Sequence, residues 1–405
     1  MDYADLKRSV PEHLKDAVVF QTAGTRPRGK LALGFGLAET VGQEAAGFTK
    51  GRVLLVTDQT IAGLGLPQVV LDSLERAGLA ADVFDEVEPE PHLDMAQRLE
   101  EIVRRTEYGL VVGLGGGSPM DMAKSAALVA RNPKGIGDYM TGAAIENEGL
   151  PAILLPTTAG TGSEVSPFIV TSLPDKKLFI ASPYVLAATA LIDPLLTASL
   201  PPRVTAGTGL DALSHAVEGL VARPTPLSQA FARQSVELVF RYLERACQGG
   251  LDLEARYHMC FASALGMLAY IQGGGLYAHS MSYILTFDLN LPHGLGCGVT
   301  LPYTLMFNLK RIEGLLAGLA PLIDPGITGS ESRKARQAVE RFHGLLAKVG
   351  VETSLKDLGV RAESLDAYAE DLVKKYYRAR NPRPMSPEEA RKLVEAMWEG
   401  ELKEI

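Results

Sequence analysis

An α/β half built on a parallel sheet, followed by an all-α half, is the fold class this sequence predicts. Three observations lead there. Residues 1–200 alternate short β-branched or aliphatic runs with helical stretches; Gly115, Gly116 and Gly117 sit where one such run hands over to a helix; and beyond LPPRVTAGTG (Leu200–Gly209) strand signal almost vanishes. Two prolines and a Thr/Gly cluster in that segment place the domain boundary near residue 200, giving domains of 1–200 and 201–405.

The elements follow in order. RVLLVTD, Arg52–Asp58, is a buried strand, and Thr60–Ala77 behind it carries a helical apolar period that stops at Gly78. ADVFDEV, Ala81–Val87, is a second strand, followed by a helix from about His92 to Arg105. In YGLVVGLGGGSPMDMAK a strand runs into glycines and then into a helix reaching toward Ala130. Pro151–Thr158 and Ala188–Asp193 are further strands. Strand and helix in alternation predict a parallel sheet covered on both faces. The second half predicts helices near Ala206–Val221, Pro226–Cys247, Leu253–Ile271, Leu295–Asn308, Glu331–Lys348, Ala362–Lys375 and Ser386–Glu399, with no internal repeat.

Composition narrows the function classes. Hydrophobic residues make up 46% and charged residues 22% of 405, an ordinary globular balance, and the length favours two domains. A formal charge of −8 without clustered Lys or Arg argues against nucleic acid and against an anionic membrane surface, so a small-molecule partner is expected. The opening stretch MDYADLKRSVPEHLKDAVVF is charged throughout and lacks a secretory apolar core, which predicts a cytoplasmic protein. Between Arg256 and Asp288 there is no Asp, Glu, Lys or Arg, yet Gln272, Gly273–Gly275 and His279 lie inside, so a buried core helix ending at glycines is expected rather than a membrane span. Cys247, Cys260 and Cys297 are odd in number and lack C-x-x-C spacing, implying neither a disulfide framework nor a zinc ribbon and agreeing with a reducing compartment.

Two constellations carry chemistry. Asp211 and His215 are four apart in GTGLDALSHAVEG, so on a helix they share one face; His279 and His293 supply two more imidazoles. One carboxylate and three imidazoles suit Fe²⁺ or Zn²⁺ rather than the oxygen shells of Mg²⁺ or Ca²⁺. Singly, the same residues read as a helix-surface pair, a hydrogen-bonded core histidine and a turn residue. The second constellation is Gly115-Gly116-Gly117-Ser118 at a strand–helix junction, where backbone N–H groups and the helix dipole can hold a pyrophosphate, although the segment lacks G-x-G-x-x-G and a plain tight turn reads equally well. Asp58 at a strand end can accept from both ribose hydroxyls, disfavouring a 2′-phosphate, or can cap the next helix. Thr157, Thr158, Thr161 and Ser163 in PTTAGTGSE suit a cofactor or an ordinary Ser/Thr turn.

With VTDQT, GGGSPMDMAK, PTTAGTGSEV, LIDPLLTASLP, TGLDALSHAVEG, LPHG and NPRP in this order, the chain from about Leu31 to Arg383 resembles the iron-containing (group III) alcohol dehydrogenases. The resemblance implies a Rossmann-like N-terminal α/β domain and a helical C-terminal domain, an architecture shared with dehydroquinate synthase-like proteins, with NAD(P) and a metal in the cleft between them. It implies the metal ligands Asp211, His215, His279 and His293, with Fe²⁺ expected and Zn²⁺ satisfied by the same donors. It places Asp58, Gly116, Gly117, Ser118, Asp121, Thr157, Thr158, Thr161 and Ser163 at the cofactor, with Lys177 of DKKLF close by, and Tyr270 against nicotinamide and substrate. Two positions depart from the family pattern. Tyr283 stands where many members carry a relay histidine, and Pro89-Glu90-Pro91 stands for the usual P-N-P, which puts a second carboxylate on the adenosine side and favours NAD over NADP. The implied activity is reversible hydride transfer between a primary or small secondary alcohol and NAD(H), in an enzyme that commonly forms homodimers or larger homo-oligomers. A dehydroquinate synthase-like lyase, a polyol dehydrogenase, or a non-catalytic metal- and nucleotide-binding scaffold are the alternatives.

Overall fold

The computed structural model describes residues 2–20, 29–248 and 251–405. They form two compact units: residues 1–158 with 162–199, and residues 159–161 with 200–405.

The first unit is a seven-stranded sheet in the order β1-β2-β9-β6-β5-β3-β4, made of β1 (Val18–Phe20), β2 (Lys30–Leu33), β3 (Arg52–Val56), β4 (Ala81–Phe84), β5 (Tyr108–Gly115), β6 (Ala152–Pro156) and β9 (Thr189–Ile192). Every pairing is parallel except β1 with β2. The central strands are apolar on both faces because helices cover both, so β6 and β9 are buried at every position. Around the sheet run α1 (Tyr3–Arg8), α2 (Val41–Ala46), α3 (Gln59–Gly63), α4 (Leu66–Arg76), α5 (Leu93–Arg105), α6 (Gly117–Val129) and α7 (Ile136–Met140). Leu54, Val111, Met120, Ala123 and Leu154 belong to one core formed between sheet and helices.

This unit differs from the sequence expectation at strands β1 and β2, which were not expected, and in two further features. The single helix expected over Thr60–Ala77 is two, α3 and α4, because Gly65 between them takes a positive φ of 74° that ends the first. A separate antiparallel hairpin, β7 (Phe168–Ser172) with β8 (Lys177–Ala181), fills a stretch for which no strand was expected. Its turn, LPDKK, is the sort of Pro/Asp cluster that reverses a chain.

The second unit is helical: α8 (Pro202–Ala222), α9 (Pro226–Cys247), α10 (Leu253–Gly273), α11 (Tyr277–Leu289), α12 (His293–Ile323), α13 (Glu331–Lys348), α14 (Leu365–Lys374) and α15 (Pro387–Glu399). No strand occurs among its described residues. The uncharged segment is the pair α10–α11, bent by 110° at the glycines, and among the described residues no single helix is long and apolar enough to cross a membrane. Helix α11 was not expected, and α12 starts two residues earlier and ends fifteen residues later than its expected span of Leu295–Asn308, carrying Pro302 and Pro321 inside it. Asn290, with φ 51°, ends α11 in a left-handed turn that lets the chain reverse into α12. That reversal brings His279 and His293, fourteen residues apart, into edge-to-face contact.

Candidate functional site

Helix α8 carries three polar residues on one face: Asp211, His215 and Glu218, at i, i+4 and i+7. All three are buried, so each needs a partner. Asp211 Oδ1 lies 3.9 Å from His215 Nε2 and 3.9 Å from His293 Nε2. The His279 ring is centred 4.9 Å from that of His215 and 5.4 Å from that of His293. The structure therefore brings all four expected ligand residues together, from α8, α11 and the first turn of α12. Gly294 permits this approach, since a Cβ there would stand 2.3 Å from the Gly207 carbonyl oxygen and 2.9 Å from Asp211 Cβ.

The second nitrogen of each imidazole has its own partner. His279 Nδ1 meets Glu218 at 2.5 Å, His215 Nδ1 meets the Gly160 carbonyl at 3.3 Å, and His293 Nδ1 meets Ser282 Oγ at 2.8 Å. Such bonds place the ring proton on Nδ1 and leave an Nε2 lone pair in each. Glu218 also accepts from the backbone N–H groups of Leu276, Ala278 and His279, so it fixes the start of α11 as well as the ring. What remains inside is unsatisfied: Asp211 Oδ1 and His279 Nε2 are buried without any hydrogen-bond partner. Lone pairs converging in a largely buried site, met there only by the weakly donating Cys297 thiol, fit a cation.

Electrostatics agrees. Burial raises the Asp211 carboxyl, but His215, His293 and His279 outweigh it and the net shift is downward. Burial raises Glu218 too, and His279 brings it below the ordinary range. Burial lowers His215 to about 4, which keeps it a neutral imidazole, the form that ligates.

Aromatic residues enclose the cluster. Tyr270 stands edge-on to His215 at 4.9 Å and 5.0 Å from His279, while Tyr283 stacks on His293 at 5.4 Å. Burial pushes the Tyr283 phenol up to about 12, so at neutral pH it is a hydrogen-bond donor and not a base. Arg378, over the Tyr283 ring at 5.6 Å, donates to Ser280 Oγ. Sequence reasoning missed Glu218, Cys297 and Arg378. Glu218 was readable as the next residue on the Asp211–His215 face, and Cys297 as the residue one turn after His293; Arg378 follows from no local pattern.

The sheet unit holds the other candidates. Gly115 ends β5 with φ 154°, and a Cβ there would strike Pro119 at 2.5 Å. Gly116 is the N-cap of α6, with Gly117 and Ser118 in its first turn, where backbone N–H groups lack intrahelical partners. Thr157 Oγ1 and Thr158 Oγ1, following β6, are buried with no partner. These orphan hydroxyls beside a glycine-lined helix start fit a dinucleotide. Other candidates have internal partners. Asp58 caps α3 by accepting from Ile61 N at 2.9 Å. Asp121 accepts from Ser163 Oγ at 2.5 Å, from Val170 N and from Lys124, a lysine wholly buried in α6 that also reaches Ser163 and the Phe168 carbonyl. Glu90, with a strained φ of 52°, pairs with Lys177, which also donates to Ser172. Thr161 lies in the short 159–161 segment of the helical unit, next to the Gly160 that holds His215.

Comparison with known proteins places both halves. Residues 28–194 match the family model for iron-containing alcohol dehydrogenase, and residues 205–398 match that for the C-terminal part of the Fe-containing alcohol dehydrogenase family. The chain is 34% identical to long-chain-alcohol dehydrogenase 1 of Geobacillus thermodenitrificans, over 92% of this chain and 96% of that one. It is 30% identical to the NAD-dependent methanol dehydrogenase of Bacillus methanolicus, over 89% and 96%. Its fold matches sulfoacetaldehyde reductase from Bifidobacterium kashiwanohense, solved in complex with NAD⁺, with a TM-score of 0.81, 31% identity, and coverage of 93% and 99%. Motif order, fold and donor cluster agree with these matches, and the chain belongs to the iron-containing alcohol dehydrogenase family.

Proposed function

We propose that this protein is a metal-dependent oxidoreductase that moves a hydride reversibly between a primary or small secondary alcohol, or the corresponding aldehyde or ketone, and NAD(H). One observation carries the reading: three imidazoles, each with its Nδ1 side engaged, surround an ionised, partnerless carboxylate oxygen in a buried site. Asp211, His215, His279 and His293 would hold the ion, Fe²⁺ by family and Zn²⁺ by the same donor chemistry. A divalent ion there supplies Lewis acidity that favours the deprotonated alcohol, and the nicotinamide supplies the redox step. Gly116, Gly117, Ser118, Thr157 and Thr158 would hold the dinucleotide phosphates through N–H and hydroxyl donors, with Asp58 and Thr161 as further contacts. Asp121, Ser163, Glu90 and Lys177 act in this proposal by fixing the walls of that site through their internal bonds.

Tyr270 orients and excludes water at the imidazoles. Tyr283 accepts a hydrogen bond from Arg378 and stays a neutral phenol; the proton of the alcohol leaves through hydroxyls and water, because a phenol near pKa 12 does not take it. Three free, buried cysteines support a reducing, cytoplasmic location. The outward-facing apolar strand β1, with Val18, Val19 and Phe20 54–63% exposed, supports a homo-oligomer. The test is an alcohol and aldehyde panel followed at the NADH absorbance, with metal stripped by chelation and then restored. Metal-dependent NADH formation is expected; no turnover across the panel by enzyme that has bound both metal and NAD would refute the proposal.

A further inference from the structure

The tightest group of donor atoms is not the set that the sequence singles out. Asp211, His279, His293 and Cys297 each offer one ligand atom, and those four atoms all lie within 4.8 Å of one another. Cys297 is on α12, one helical turn beyond His293, fully buried, with Sγ 3.5 Å from His293 Nε2. Ser282 bonds the other ring nitrogen, Nδ1, so the sulfur sits on the Nε2 side of the ring, the side that faces Asp211. The other two cysteines, Cys247 on α9 and Cys260 on α10, are outside this group.

We propose that Cys297 is a ligand of the ion, its thiolate occupying a coordination position beside Asp211, His279 and His293. The inference rests on the reading of this cluster as a metal centre and extends it with a sulfur donor. A buried cysteine alone is commonly a small apolar filler. Here the thiol hydrogen-bonds the Asp211 carboxylate and shares its pocket with Asp211 Oδ1 and His279 Nε2, two deeply buried atoms without a hydrogen-bond partner of their own, and an ion seated between them is within reach of Sγ. Binding replaces the thiol proton by the cation and releases that proton to solvent, so the charge of the centre balances without any oxidant. A soft thiolate among imidazoles moves the preference of the site from Fe²⁺ toward Zn²⁺ and Co²⁺.

The test is Co²⁺ titration of metal-stripped protein, comparing the parent with Cys297→Ala and Cys297→Ser, together with Zn²⁺ affinity from competition against a chromophoric chelator. The parent should show a near-ultraviolet sulfur-to-Co²⁺ charge-transfer band alongside visible d–d bands. Both variants should keep the d–d bands, lose the charge-transfer band, and bind Zn²⁺ weaker by at least about tenfold. Circular dichroism checks folding, and the serine variant carries the test if alanine collapses the pocket. Visible bands without charge transfer in the parent, or unchanged Zn²⁺ affinity in the folded variants, would overturn the sulfur ligand alone. Failure of the parent to bind Co²⁺ or Zn²⁺ at all would overturn it together with the metal centre.

Discussion

The helical unit and the sheet unit treat their buried polar groups in opposite ways. At the α8–α11–α12 cluster each imidazole is bonded on its outer side, while Asp211 Oδ1 and His279 Nε2 face inward with nothing to meet them. Around α6, by contrast, Asp121, Lys124, Ser163 and Ser166 satisfy one another, while the Thr57, Thr157, Thr158, Thr171 and Thr189 hydroxyls and Glu164 Oε2 of this unit remain open. Unsatisfied buried groups cost stability, so a fold retains them where a ligand completes them. The helical unit is thus built to take a cation through side chains, whereas the sheet unit offers a dinucleotide mainly backbone N–H groups at a glycine turn.

Five substitutions would sharpen or break that contrast. The largest effect is expected at Glu164, which burial pushes up to about 7 from 4.5 against the pull of Lys124. The folded carboxyl holds its proton where the unfolded one has lost it, so the stabilisation is full below about pH 4.5 and is lost as pH rises to about 7, an amount on the order of 3 kcal/mol. Urea midpoints for Glu164→Gln should be flatter across that window and higher than the parent above it; parallel curves would show that the sheet unit solvates this acid. Next is Glu218→Gln, which keeps the shape but removes the charge behind His279. Metal affinity is expected to fall by roughly 10–100-fold, read by chelator competition, with NAD binding unchanged. An unaltered affinity would mean that the outer bonds do not prepare the centre.

Smaller changes are expected on the cofactor side. Thr157→Val and Thr158→Val each remove a hydroxyl that has no protein partner, so the melting temperature should hold or rise. If each hydroxyl bonds the dinucleotide, about 0.5–1.5 kcal/mol of NAD affinity is lost, roughly a two- to tenfold weaker Kd by calorimetry. Loss of stability with unchanged NAD affinity would place the hydroxyls in the core instead. The smallest effect belongs to Tyr283→Phe. With the phenol pushed up to about 12, the pH–rate profile should keep its shape between about pH 6 and 9. A displaced limb would restore a relay role to this residue.

The parts of the fold legible in the sequence were those written in local periodicity. The buried run of β3, the glycine handover from β5 to α6, and α9 and α13 with their capping residues Thr225 and Ser330 all announce themselves within one element. The α10–α11 break and the length of α12 did not, because the uncharged segment offers no polar face to count and tertiary packing accommodates Pro302 inside a helix. Four ligand candidates were visible because D-x-x-x-H sits on one helix and two further histidines, His279 and His293, stand fourteen apart in a glycine-flanked stretch. The carboxylate behind His279, the sulfur beside His293 and the buried Lys124 bonded to Ser163 and the Phe168 carbonyl depend on which elements touch, a relation that spacing along one chain does not encode.

The most direct test is metal content by elemental analysis of the purified parent and of His279→Ala after each is dialysed against limiting Fe²⁺ or Zn²⁺, with NAD binding measured on the same samples. The account predicts one ion per parent chain, none in the variant, and NAD affinity retained in both. An ion held equally well without His279 would contradict the claim that the three imidazoles and Asp211 form the metal centre.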